Sequence, residues 1–99
     1  MVFVTCPAEA AATLAEALVQ RRLAACVNSL AGVNSVYRWR EAVERGSETL
    51  LLIKTSRARY PALEAAVREL HPYELPEILA VHVAAGLPAY LQWIQQSTA

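Results

Sequence analysis

A valine-rich extended segment that runs from Ala24 to Trp39 constrains the fold more than any other feature of the chain. Gly32 alone interrupts it, which is typical of a β-bulge. The polar stretch from Arg40 to Ser47 predicts a turn, and Glu48 to Thr55 predicts a second strand. The two strands form a long hairpin. Because an isolated two-stranded ribbon is only marginally stable in water, this hairpin needs another surface to pack against.

The rest of the chain supplies two more strands and three helices. Short apolar runs predict strands at Met1 to Thr5 and Ile78 to Val83. Helical periodicity predicts three helices, at Pro7 to Leu23, Arg57 to His71 and Pro88 to Gln96. The order βαββαβ plus a helix is that of a ferredoxin-like α+β fold, in which one antiparallel sheet carries two helices on one face. A chain of 99 residues forms a single domain, residues 1–99.

Two helices leave the other face of such a sheet uncovered. Leu50 to Ile53 and Ile78 to Val81 are continuous apolar runs, the pattern of strands that are buried on both faces. The hairpin also reaches beyond a first strand as short as Met1 to Thr5. We therefore expect a closed homo-oligomer with an interface above roughly 1,600 Å². The alternative is a monomer whose terminal helix seals the sheet.

Composition excludes several classes of partner. Nine basic and nine acidic side chains give no net charge, so no long-range field favours nucleic acid or an anionic membrane. No apolar run approaches the roughly 20 residues that span a bilayer. Two cysteines, Cys6 and Cys26, do not make a disulfide framework, and no cleavable signal precedes the first strand. These features predict a cytoplasmic protein.

The richest source of chemical groups is the segment from His71 to Glu77, which holds an imidazole, a phenol and two carboxylates between two prolines. Each proline restricts the backbone around it, so the segment is expected to be stiff and extended. It either presents a site or simply ends a helix and starts a strand. Cys6 precedes a helix whose positive end favours a thiolate, although packing is the alternative role for this residue.

Motifs of enzymes are absent from the sequence. It contains no nucleophile elbow, no phosphate-binding glycine loop and no paired cysteine zinc motif. Two families with the same element order also fit poorly. The third strand lacks the aromatic residues of an RNA-recognition module, and the loop after the first strand lacks the arginine of an acylphosphatase. We therefore predict a protein that is not an enzyme.

Six blocks along the chain resemble those of the CutA divalent-cation-tolerance family. They are Val2-Phe3-Val4-Thr5-Cys6-Pro7, Leu23-Ala24-Ala25-Cys26-Val27-Asn28, Ser35-Val36-Tyr37-Arg38-Trp39, Ile53-Lys54-Thr55, His71-Pro72-Tyr73-Glu74 with Pro76-Glu77, and Tyr90-Leu91-Gln92-Trp93-Ile94. The blocks occur in the family's order and span nearly the whole chain.

The resemblance implies a cytoplasmic homotrimer that is similar to the PII signalling proteins, with hairpin arms that clasp neighbouring subunits. It also implies a role in heavy-metal tolerance and, as in some members, binding of divalent copper. In those members a thiol at the end of the first strand and two adjacent histidines are associated with the metal. Here the matching positions hold Val4, with Cys6 two residues on, and Leu70-His71.

Three hypotheses about function follow. In the first, divalent copper or a similar cation binds between subunits through His71, Glu74 and Cys6. In the second, a PII-like trimer binds a small molecule or anion through Lys54, Trp39, Tyr73 and Arg38, with Arg40 as a further contact. In the third, the protein is a purely structural interaction module.

Overall fold

The computed structural model describes residues 1–99 and confirms the α+β, ferredoxin-like order. Its strands are β1 (Val2–Cys6), β2 (Cys26–Trp39), β3 (Ala42–Lys54) and β4 (Ile78–Ala80). Its helices are α1 (Ala8–Gln20), α2 (Tyr60–Leu70, after a 3-10 turn at Arg57–Arg59) and α3 (Pro88–Ser97). The strands form one antiparallel sheet in the order β2-β3-β1-β4. None of the helices combines the length and the apolar composition needed to cross a bilayer.

The hydrophobic core lies between one face of the sheet and helices α1 and α2. On this face the strands contribute Val2, Val4, Leu51 and Ile53, all at most 1% exposed. The helices contribute the apolar stripes that their sequence spacing predicted. The stripe residues are Ala11, Leu14, Leu18, Leu63, Ala66 and Val67.

The opposite face of the sheet, here called the second face, carries Phe3, Leu50, Leu52 and Leu79, since strand residues alternate between the two faces. Helix α3 covers only one end of it. Thr98, just after that helix, donates to the Ser56 hydroxyl at 3.2 Å, and its carbonyl accepts from Arg59 at 2.7 Å. These bonds hold the helix beside the start of α2, so most of the second face stays open.

The hairpin is longer and its turn is shorter than the sequence predicted. Trp39 pairs with Ala42, which leaves only Arg40 and Glu41 as the turn. The expected turn from Arg40 to Ser47 was therefore wrong, because its polar residues continue β3. Beyond the edge of β1, residues 33–48 form a two-stranded arm that makes the molecule 44 Å long. Gly32, with φ of 74°, lies in the predicted bulge.

Two other elements, β4 and α1, end three residues earlier than predicted. The strand predicted from Ile78 to Val83 ends at Ala80, although the Val81 N–H still donates to the Met1 carbonyl at 2.8 Å. Helix α1 ends at Gln20 rather than Leu23, because Arg22 adopts a left-handed conformation with φ of 59°. The chain then turns towards β2.

Candidate functional site

The predicted ligand segment 71–77 lies against the carboxyl end of β1, and His71 fixes it there. The ring is only 6% exposed. Its Nε2 lies 2.7 Å from the Thr5 carbonyl, and its Nδ1 accepts the Tyr73 backbone N–H at 3.1 Å. A neutral ring with its proton on Nε2 satisfies both bonds. His71 therefore joins α2, the segment and β1, and neither nitrogen is free.

Tyr73 connects the same segment to the base of the arm. Its hydroxyl donates to the Glu48 carboxylate at 3.0 Å, and its ring lies 4.7 Å from that of His71. Burial, the hydrogen bond to Glu48 and the negative charge of Glu48 together raise the pKa of Tyr73 to about 12. The phenol is therefore a hydrogen-bond donor at neutral pH.

Glu74 and Glu77 point in different directions. The segment is not the extended connector that its prolines predicted: the backbone bends at residues 72–75, where the Tyr73 N–H turns back to the His71 ring. Glu74 meets the Arg40 guanidinium at 3.5 Å, near the tip of the arm, where both side chains are about three-quarters exposed. Glu77 accepts from the Thr5 hydroxyl at 3.5 Å. The segment is thus bonded both to the sheet and along the arm.

Cys6 lies at the end of β1, where the sequence left two roles open, a stabilised thiolate and packing. The residue is fully buried. Burial raises the pKa of its thiol above the ordinary value, and the negative charges of Glu48 and Glu9 raise it further. These effects oppose the positive end of α1, so the structure supports the packing role and not the thiolate. Metal binding here requires the thiol to lose its proton.

Within one chain, the predicted metal ligands do not converge on a coordination site. His71 contacts the Thr5 carbonyl and Cys6 is buried in the hydrophobic core, whereas Glu74 is engaged by Arg40. No three His, Cys, Asp or Glu side chains come together as a group that could hold a metal. Metal binding through these residues would require donors from a neighbouring subunit.

The residues predicted to bind a small molecule are also far apart within one chain. Lys54 pairs with Cys26 at the base of the hairpin, whereas Trp39 and Arg38 lie at its tip. At about 3.3 Å per residue, the two ends are roughly 40 Å apart. Tyr73 lies between them, against Glu48. These residues could share a ligand only across subunits.

Sequence reasoning missed Glu48. This residue anchors Tyr73 and influences Cys6, yet it reads as an ordinary polar residue ahead of an apolar strand. Its position becomes informative only with the sheet register, in which the next residue, Thr49, pairs with Cys6. That register places Glu48 just beyond the end of β1.

Comparison with known proteins agrees with this architecture. The family model described as CutA1 divalent ion tolerance protein matches residues 1–97. The chain belongs to this family. A protein named CutA from Mus musculus is 47% identical over 97 residues, which are 97% of this chain and 55% of the mouse protein. The chain thus spans about half the length of that relative.

Solved structures of family members have the same fold. The divalent cation tolerance protein CutA1 from Thermus thermophilus is 46% identical, with a TM-score of 0.96 over 99% of this chain and 96% of that one. A structure described as the PII-like protein CutA from Nostoc is 33% identical, with a TM-score of 0.93 over 99% and 95%. The fold is therefore shared with a PII-like protein.

Proposed function

We propose that this protein is a cytoplasmic, non-enzymatic homotrimer that contributes to tolerance of divalent heavy-metal cations. In this proposal it binds copper or a similar ion weakly, in clefts between subunits. The observation that carries the proposal is the open apolar second face, found in a chain that belongs to a divalent ion tolerance family.

The exposure of the second face supports assembly. Leu79 is 58% exposed and Leu30 is 45% exposed, although both are large apolar side chains on a sheet. Strands β2 and β4 are both sheet edges, which present unpaired N–H and C=O groups along their outer sides. Large apolar patches and open edges on a small domain are typical of an interface. Other copies of the chain would cover them.

The metal site would form where the 71–77 segment of one subunit meets a neighbour. His71 and Cys6 would supply nitrogen and sulfur ligands, and Glu74 an oxygen ligand if it left Arg40. Each of these ligands must first break a hydrogen bond or an ion pair, or lose a proton. Metal affinity would therefore be low and would fall as the pH falls.

A calorimetric titration with Cu²⁺ tests this site. We expect saturable heat in the wild type that is clearly reduced in His71→Ala. Because His71 also supports the fold, His71→Gln is the second variant: its amide can still donate to the Thr5 carbonyl, while the imidazole is gone. His82→Ala, which removes an exposed imidazole, is the matched control and should leave the heat unchanged. Unchanged heat in His71→Gln would exclude His71 as a ligand.

The second candidate is a PII-like trimer that binds a small molecule or anion. Arg38 favours it, because this residue is exposed near the arm tip and forms no ion pair. The Arg40 guanidinium lies 5.4 Å from the Trp39 ring centre, so a cation and an aromatic surface lie side by side at the arm tip. Arms from one subunit would bring these groups to Lys54 of another. Native mass spectrometry separates the candidates, since bound metal supports the first and a retained metabolite the second.

A further inference from the structure

A cleft of about 800 Å³ opens at the end of the sheet where β1 begins and β3 ends. It is here called the terminal cleft. Its walls come from Lys54 and the residues after it, the start of α2, residues 80–86 and one side of α3. Tyr60, Tyr90 and Val81 give it a largely apolar lining. Its volume lies within the range of roughly 300–1,000 Å³ that is usual for small-molecule sites.

The charges that line the terminal cleft have one sign. Lys54, Arg57 and His82 are its basic side chains, and no carboxylate lines it. The chain as a whole has equal numbers of acidic and basic residues, so this segregation is local. The two ion pairs of the molecule lie elsewhere. Glu64 accepts a hydrogen bond from the Tyr60 hydroxyl at 2.9 Å, but it does not line the cleft.

Both strong cations keep donors available for a ligand. The Lys54 ammonium donates to the Asn28 side-chain oxygen and lies 3.9 Å from the Cys26 sulfur. An ammonium has three N–H groups, so at least one remains. Arg57 is exposed and has no ion pair or side-chain hydrogen bond in the structure, so its guanidinium fork can receive an oxyanion in bidentate fashion.

We propose that the terminal cleft binds a small organic anion. Lys54 and Arg57 hold its carboxylate, phosphate or sulfonate group, and an apolar or aromatic body packs against Tyr60 and Tyr90. All the residues named here come from one chain. The site shares Lys54 with the second candidate function but includes neither Trp39 nor Arg38. It lies at the opposite end of β1 from Cys6 and His71, so it does not depend on metal binding.

The probe for the test is 8-anilinonaphthalene-1-sulfonate, which joins a sulfonate to an aromatic body. Its affinity for the assembled wild-type protein is compared with its affinity for Lys54→Met and Arg57→Gln by fluorescence titration. Each variant is expected to bind about fivefold more weakly, the effect of losing one charge contact at a hydrated site. Arg57→Gln replaces a guanidinium that makes no ion pair or side-chain hydrogen bond within the chain, so it keeps the test valid if Lys54→Met folds poorly.

Two controls distinguish the terminal cleft from the open second face, which would also attract an aromatic dye. Arg45→Gln removes an exposed cation of the arm and should leave the affinity unchanged. The uncharged probe N-phenyl-1-naphthylamine should bind Arg57→Gln as well as it binds the wild type. Equal sulfonate affinity in the wild type and Arg57→Gln, or an equal loss in Arg45→Gln, would overturn the proposal.

Discussion

Arg22 ends α1 in a conformation that usually belongs to glycine. Its N–H donates to the Val19 carbonyl, and the Leu23 N–H donates to the Leu18 carbonyl, which is the Schellman pattern. At φ of 59° a side chain with a Cβ atom is strained, by roughly 1 kcal/mol.

Arg22→Gly should therefore stabilise the protein, with a gain in the free energy of unfolding of about 0.5–1 kcal/mol. Denaturant unfolding at one protein concentration measures it. Arg22→Ala is the control, since it removes the same side chain but keeps the strain, and should show no such gain. A loss of stability in Arg22→Gly would show that the arginine side chain itself supports the helix end.

Tyr73 gives a second prediction at the scale of single residues. Its pKa is raised from 10.0 to about 12 by burial and by Glu48. The neutral phenol is the form that the fold favours, so its contribution to stability is complete below about pH 10 and is lost as the pH rises from about 10 to 12. Because burial also raises the pKa values of Tyr60 and Tyr90, absorbance titration of tyrosinate should show one fewer late-titrating group in Tyr73→Phe than in the wild type.

Glu48→Gln should lower the pKa of Tyr73 but leave it above 10, because burial remains. Glu44→Gln, farther out on the arm, should leave that titration unchanged. If Glu48→Gln left the titration of Tyr73 unaffected, the hydrogen bond to Glu48 would not be responsible for the raised pKa of Tyr73.

Candidate site residues could be chosen from the sequence, but the atoms that they contact could not. Their states depend on atoms distant in sequence: the Thr5 carbonyl for His71 and the Glu48 carboxylate for Tyr73. Such contacts depend on the sheet register, which local patterns do not specify.

At the scale of elements, the apolar face of each helix and the order of the strands followed from periodicity. The arm did not. Residues 42–47 include Glu44, Arg45 and Gly46 and show no apolar alternation, because a two-stranded ribbon has no core face to bury. A strand of this kind is visible only through its pairing with β2.

Gly32→Ala tests the pairing of β2 with β3 at the scale of secondary-structure elements. The φ of 74° at Gly32 allows the bulge where the register shifts between Leu30 and Val33. A Cβ atom there would meet open space, so the cost of Gly32→Ala is backbone strain alone, about 1 kcal/mol of unfolding free energy.

Gly46→Ala is the matched control for Gly32→Ala. Gly46 also faces open space, but it lies within β3 and is not among the positive-φ residues. Alanine should be neutral there or stabilise by up to about 1 kcal/mol, since glycine weakens a strand interior. Thermal unfolding of both variants measures the difference. Equal effects would mean that the bulge does not depend on the left-handed conformation.

At the scale of the whole molecule, the proposed assembly depends on the apolar second face of the sheet. The core cluster lies on the other side of the sheet, under α1 and α2, and helix α3 is held away by Ser56 and Arg59. The arm adds a ribbon that is hydrogen-bonded to Tyr73 and Glu74 of the 71–77 segment. A single copy therefore leaves apolar surface exposed that further copies would bury.

Sedimentation velocity across a dilution series tests this claim most directly, on the wild type and two variants. Leu79→Lys places a charge on the second face, and Val19→Lys places one at a 41% exposed position on α1 as the control. We predict that the wild type and Val19→Lys sediment as a species of three times 10.8 kDa and that Leu79→Lys dissociates or fails to fold. A folded wild type that sediments as a single 10.8 kDa chain at all concentrations would contradict the account.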